Sequence, residues 1–203
     1  MILYAAKLIL QPSAVLRLQL KDPYSIHKVV MDLYDLNRDF EQQHASTPSG
    51  VQWVDKGEHI YGREIQLLSL MPPKKLSFPE DVAFDWKAVP ENYLQHRFYK
   101  FSIVANPCRM AGGKRIGLIA ESDIAKWFSE KANKGGFIVR SMEIFQNKYC
   151  KFYKDKNLVS FAHTKISGHL EVTNQSLFEK TVEKGIGKGR AFGFGLLQLA
   201  VIQ

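Results

Sequence analysis

The chain of 203 residues carries a formal net charge of +8 and 45% hydrophobic residues, which excludes a disordered tract and leaves room for one large or two smaller cored domains. Its two cysteines, Cys108 and Cys150, lie far apart with no nearby Cys or His at metal-ligand spacing, so neither a disulfide framework nor a zinc site is suggested, and a reducing cytoplasm fits best. The opening MILYAAKLIL lacks a basic leader and a small-residue cleavage site, and no apolar run approaches the ~20 residues of a membrane span; no membrane partner is expected.

In chain order, the first half reads as a strand (Ile2 to Leu10), a helix (Pro23 to about Phe40) and two strands (Gly50 to Val54, Tyr61 to Leu70). A proline-rich stretch, MPPKKLSFPEDVAFDWKAVPENYL, is expected to be mostly loop with at most a short helix, and a strand (Arg97 to Ala105) follows it. Asp22 can cap the helix, and Pro23 sits where a first-turn proline is welcome. Asn106-Pro107 reads as a boundary. Beyond the basic loop AGGKR come a helix (Glu121 to about Lys134), two long strands (Phe137 to Phe152, Leu158 to Val172) with a hairpin tip at Lys154 to Asn157, a helix (Gln175 to Lys184) and a last strand (Phe194 to Ile202). The fold class is therefore α+β, two tandem βαββαβ domains of the ferredoxin-like or RRM-like kind, residues 1–105 and 106–203.

Charge separates along the chain. Residues 1–105 hold 12 Lys/Arg against 12 Asp/Glu, whereas residues 106–203 hold 16 against 8. A basic half beside a neutral half points to a polyanion such as nucleic acid, or to a solubilising excess. Lys148, Lys151, Lys154 and Lys156 gather on the long hairpin; Arg109, Lys114 and Arg115 form a second basic group, and Lys131 and Lys134 a third. Each group is either an RNA contact, gripping stem phosphates and shape, or a solvated surface.

The C-terminal stretch GIGKGRAFGFGLLQLAVIQ has glycines at 185, 187, 189, 193 and 195. Phosphate loops of nucleotide enzymes follow a strand and open a helix, so that helix N–H groups complete the anion site. Here the loop follows a helix and precedes a strand, which disfavours ATP or NAD and a phosphate-binding metabolic enzyme. Either the glycines serve turns, or bare backbone at Gly185, Gly187 and Gly189 approaches a polynucleotide beside Lys188 and Arg190.

On the first helix, Ile26, Val29, Val30, Leu33, Leu36 and Phe40 form an apolar face at 100° per residue, while Tyr24, His27, Met31, Tyr34 and Arg38 line the other side. An imidazole, phenols and a guanidinium on one stripe can hold a phosphodiester and move a proton; they can also be an ordinary helix surface, as can Lys28. His44, His59, His96, His163 and His169 show no metal spacing, and no acidic cluster is placed to hold Mg²⁺.

The glycine-rich terminus resembles that of the CRISPR-associated RAMP proteins, and its G-I-G-x-x-[KR]-x-x-G-x-G-L-L form is similar to the CasE family of type I-E systems. PYSIH at 23–27 resembles that family's P-Y-x-x-H, and FSIVANPCRMAGGKRIGL at 101–118 its R-A-N-P segment and basic loop, with Val104 in place of the arginine and Lys188 in place of a common proline. The resemblance implies two ferredoxin-like domains and a metal-independent endoribonuclease without cofactor. It would cut a repeat RNA at the 3′ base of its hairpin, leave 2′,3′-cyclic phosphate and 5′-OH ends, and stay on the crRNA beside other Cascade subunits. It further implies catalytic roles for Tyr24 and His27: the histidine as general acid/base, the tyrosine orienting the 2′-OH or the scissile phosphate. The rival expectation is a non-catalytic RAMP subunit that binds RNA structurally.

Overall fold

The computed structural model describes residues 2–35, 49–154 and 156–202, apart from the side chains of Gln146 and Lys154. The chain divides into two units, Met1–Val89 with Ala191–Gly193, and Pro90–Arg190 with Phe194–Gln203.

In the first unit β1 (Tyr4–Leu10) leads through α1 (Pro12–Arg17) and α2 (Pro23–Asp32) to β2 (Val51–His59), β3 (Gly62–Ser69) and β4 (Val82–Ala88). The sheet order β2-β3-β1-β4, with every neighbour antiparallel, is the ferredoxin-like order, with β1 and β3 central. The usual second helix is absent from the connection between β3 and β4, because Pro72 and Pro73 deny it donors and fix φ. That connection is tied instead by Lys74 N donating to Leu33 O at 2.9 Å. The fourth strand lies within the stretch expected to be loop. Val82, Phe84, Trp86 and Ala88 alternate along it, and it pairs with β1 through Leu8↔Phe84 and Ala6↔Trp86. The strand expected there, Arg97 to Ala105, belongs to the other sheet. β2 also runs past the expected Val54, carried over a bulge where Asp55 Oδ1 accepts from Gly57 N and Asp55 pairs with Arg63 at 2.6 Å.

α2 begins as its sequence dictates. Asp22 Oδ1 accepts from Ser25 N at 2.8 Å, Ser25 Oγ accepts from Asp22 N at 3.1 Å, and Pro23 stands in the first turn. It ends earlier than expected: Leu33 N and Tyr34 N turn back three residues to Val30 O and Met31 O. That tighter turn carries Tyr34 into the core, 2% exposed, where burial pushes its phenol pKa up; it does not join the outer stripe. Ile26 and Val30 face the same core, with Leu8, Leu10, Trp53 and Ile65. Leu36, Arg38, Phe40 and His44 lie outside the described residues.

The second unit completes the same pattern with both helices: β5 (Phe98–Ala105), β6 (Cys108–Ala111), β7 (Lys114–Gly117), α3 (Glu121–Lys134), β8 (Phe137–Lys154), β9 (Asn157–Val172), α4 (Gln175–Lys184) and β10 (Gln198–Val201). The order β10-β5-β9-β8 repeats the first sheet's logic. Asn106-Pro107 therefore lies inside a domain and the boundary falls at Val89/Pro90, not after Ala105. Asn106 is buried because its Oδ1 accepts from Ala162 N at 3.0 Å, extending the ladder where β5 stops. AGGKR is the tip of a hairpin, β6–β7, whose turn glycines Gly112 and Gly113 have φ of 56° and 74°. The final strand starts at Gln198; Phe194, Leu196 and Leu197 are buried but irregular. Phe101 stacks on Phe128 at 5.3 Å, and Tyr99 and Phe137 contact Phe178 at 5.5 and 5.8 Å in the core between sheet and helices.

At the far end of this sheet Glu171 is held by two guanidiniums, Arg97 at 2.6 Å and Arg140 through a second fork. The hydrogen bonds from Arg97, then those from Arg140, hold its carboxyl below the usual carboxylate range. A depressed pKa gives stability that is present above the unfolded value and lost as pH falls through the folded one. Glu171→Gln should therefore lower Tm at neutral pH, and the gap should close as pH drops below about 4; thermal unfolding across pH checks it. In the first unit, Gly193 has φ 83° and a Cβ there would meet Trp53 at 2.6 Å. Gly193→Ala should destabilise by about 1–3 kcal/mol and shift Trp53 emission.

Candidate catalytic helix and basic cleft

Tyr24 and His27 stand three residues apart at the start of α2, neighbours on one side of the helix and half-buried, while Ile26 and Val30 are buried in the core. Lys28 Nζ lies 4.5 Å from the centroid of the Tyr24 ring, which places a cation beside the pair. The His27 ring meets the Phe192 ring at 6.0 Å, tilted by 55°. Phe192 lies in the three-residue segment that belongs to the first unit, so the glycine-rich terminus supplies an apolar wall to the imidazole. Nothing in the local pattern around His27 announces that contact; the partner lies at the other end of the chain.

All five terminal glycines have positive φ: 71° at Gly185, 84° at Gly187, 88° at Gly189, 83° at Gly193 and 89° at Gly195. Gly185 ends α4, and its N donates to Thr181 O. A Cβ would come 3.0 Å from Phe194 at Gly189 and 2.4 Å from Ile186 O at Gly195. The fold itself thus calls for these glycines. Arg190 bends back to donate to Lys184 O at the end of α4, whereas Lys188 is exposed.

Four of the sequence-predicted cations come together in the second unit. Arg109 and Arg115 from the β6–β7 hairpin, Lys131 from α3 and Lys188 from the glycine loop line one cleft of about 350 Å³, with Cys108, Met110, Trp127 and Gly187. No lining residue is acidic. The Trp127 indole is half-buried, Lys131 Nζ lies 6.0 Å from its ring, and a Cβ on Gly187 would come 3.3 Å from its outer edge. Trp127 was missed because a tryptophan on an amphipathic helix reads as core. Lys114 is exposed on the same hairpin, and Lys134 is exposed in the last turn of α3, where it also complements the helix dipole.

The hairpin lysines do not share a face. From Asn147 onward β8 pairs regularly, so alternate residues point to opposite sides. Lys151 shares one side with Tyr149 and Tyr153, 46% and 64% exposed; Lys148 shares the other with Cys150 and Phe152. Lys156 lies beside the tip, and the Lys154 side chain is outside the description. Arg38 is outside it altogether. Val104, where the resemblance has arginine, is 9% exposed and pairs with Lys165 in the β5–β9 ladder, and its carbonyl accepts from Gly195 N at 2.7 Å. The other described histidines have local neighbours: His59 with Glu64 at 3.4 Å, His96 with Tyr99, His163 with Phe194, and His169 Nδ1 with Ser141 Oγ at 2.8 Å. Among the described residues no three His, Cys, Asp or Glu side chains form a metal-binding group, and no helix is long and apolar enough to cross a membrane.

Comparison with known proteins agrees with this architecture over the whole chain. The CRISPR-associated endoribonuclease Cse3 of Thermus thermophilus is 25% identical over 98% of this chain and 100% of its own length. Thermus thermophilus Cse3 bound to an RNA representing a pre-cleavage complex superposes with a TM-score of 0.82 at 21% identity, over 99% of this chain and 100% of that one. A chain of a CRISPR RNA-guided surveillance complex does so with a TM-score of 0.69 at 15% identity, over 98% and 100%. The family model described as CRISPR associated protein matches residues 3–200, and the chain belongs to that family.

Proposed function

We propose that the chain is a metal-independent endoribonuclease that cuts CRISPR precursor RNA at the 3′ base of the repeat hairpin and keeps the product as a Cascade subunit. The observation that carries this is His27 beside Tyr24 on the capped start of α2, in a chain similar along its full length to a protein named as an endoribonuclease. We place the reaction in the cytoplasm, in the service of antiviral defence.

RNA carries its own nucleophile. The 2′-OH attacks the adjacent phosphorus, the bond from phosphorus to the 5′-oxygen breaks, and the products bear a 2′,3′-cyclic phosphate and a 5′-OH. The proton that leaves the 2′-OH is taken up by a base, and a proton is delivered to the departing 5′-oxygen, so one imidazole that accepts the first and supplies the second closes the balance. His27 performs the proton transfer as general acid/base, its ring seated against Phe192. Tyr24 orients the 2′-OH or the scissile phosphate, and Lys28 adds charge close to the developing phosphorane. Binding rests on the second unit. The cleft cations Arg109, Arg115, Lys131 and Lys188 and the hairpin cations Lys148, Lys151, Lys154 and Lys156 neutralise RNA phosphates, assisted by Lys114, Lys134 and Arg190. A ribbon with lysines on both sides can serve two phosphate backbones.

End-labelled repeat hairpin from the source's own CRISPR locus, in EDTA and under single turnover, should be cut at one site by the wild type. His27→Ala should slow this by about 10²- to 10⁴-fold with binding kept. Undiminished cutting by His27→Ala would remove the histidine from the mechanism; tight binding without cutting by either protein would make the chain a structural RNA-binding subunit. Lys188→Gln or Lys148→Gln should weaken binding and reduce the salt slope by about 1, leaving the saturated cleavage rate intact; a variant that binds normally and fails to cut would contradict that division.

A further inference from the structure

We infer that the cleft beside α3 is a subsite for one unpaired nucleotide of the bound RNA, its base stacked on Trp127 and its phosphate held by Arg109, Arg115, Lys131 and Lys188. The inference rests on the RNA-processing reading above but concerns a different task, the capture of a flanking or loop nucleotide away from the scissile bond.

The volume is one argument. A cleft of about 350 Å³ lies at the small end of the range of about 300–1,000 Å³ for small-molecule sites, which suits a nucleotide and not a duplex. The lining is a second. Four cations converge with no acidic partner among the lining residues, and such a cluster attracts an anion and is stabilised by one. Trp127 supplies the third. Its half-buried indole lines the same cleft as the four cations, with Lys131 Nζ 6.0 Å from the ring centroid, and Gly187, held at φ 84°, leaves room for its edge. Aromatic plate and phosphate-binding cations together are the parts that hold single-stranded nucleic acid. A base inside a stem has both faces stacked, and a base pair at a stem end is too wide for a cleft of this volume, so the occupant is unpaired.

Two RNAs test this: the repeat hairpin with its loop and single-stranded flanks, and a blunt duplex of the same stem. Trp127→Ala should weaken binding of the first by about 5- to 150-fold and leave the second unchanged. Trp127→Phe, which keeps a plate, should retain most of the affinity and shows that a loss in the alanine variant is not misfolding. Equal loss on both RNAs, or loss on neither, overturns the subsite. Cys108 lines the same cleft as a free thiol, so its alkylation by iodoacetamide, read by peptide mass spectrometry on the unmutated protein, gives a second measure. The hairpin with unpaired nucleotides should slow it and the blunt duplex should not; equal slowing by both counts against the proposal. If the wild type binds neither RNA, the RNA-processing reading fails and AMP becomes the probe. Protection of Cys108 by AMP in the wild type, lost in Trp127→Ala, would then identify a mononucleotide site; absence of protection would end the inference.

Discussion

The backbone of Gly193 lies so close to Trp53, the largest buried side chain of the first unit, that even a methyl group would collide with the ring at 2.6 Å. That contact anchors the Ala191–Gly193 segment in a unit whose other residues end at Val89. Once Gly193 is fixed on the indole, Phe192 is fixed beside His27. The capping box at Asp22 and Ser25 fixes the other half of the pair by setting the phase of α2, which turns Ile26 and Val30 into the core and leaves Tyr24 and His27 half-buried. Two local constraints, one at each end of the chain, therefore define the surroundings of one imidazole.

Much of this is legible in the sequence, and the limits are physical. The start of α2, the hairpin meeting at Lys154↔Asn157, both helices of the second unit and the basic groups follow from caps, prolines, glycines and alternation. The first domain's last strand was hidden because VAFDWKA sits among prolines, which signal loop more strongly than seven alternating residues signal strand. Losing that strand displaced the domain boundary, since Phe98–Ala105 then filled its place. Asn106-Pro107 reinforced the error: it interrupts a strand, but Asn106 is a buried ladder partner of Ala162. Contacts distant in sequence, such as Phe192 with His27 or Gly187 with Trp127, have no periodic signature at all. The glycines are visible, and turns are one of the two reasons open for them, but the neighbours that leave no room for a side chain are not. Positive φ at all five, with close contacts to Phe194, Trp53 and Ile186 O, is a tertiary property.

The corrected boundary sharpens the electrostatics. The second unit holds 18 Lys/Arg against 9 Asp/Glu, and the first 10 against 11. All of the positive surplus therefore belongs to the unit without His27, and the unit with His27 is close to neutral. Phosphate contacts dominate affinity for RNA and depend on neutralised charge, so on the proposed reading the second unit would supply most of the binding free energy. A general acid/base, by contrast, acts through geometry and one proton, and a dense field of cations around an imidazole would disfavour its protonated form. On the proposed reading, the surplus charge that grips RNA and the imidazole that moves the proton belong to different units, with Lys28 the cation beside Tyr24.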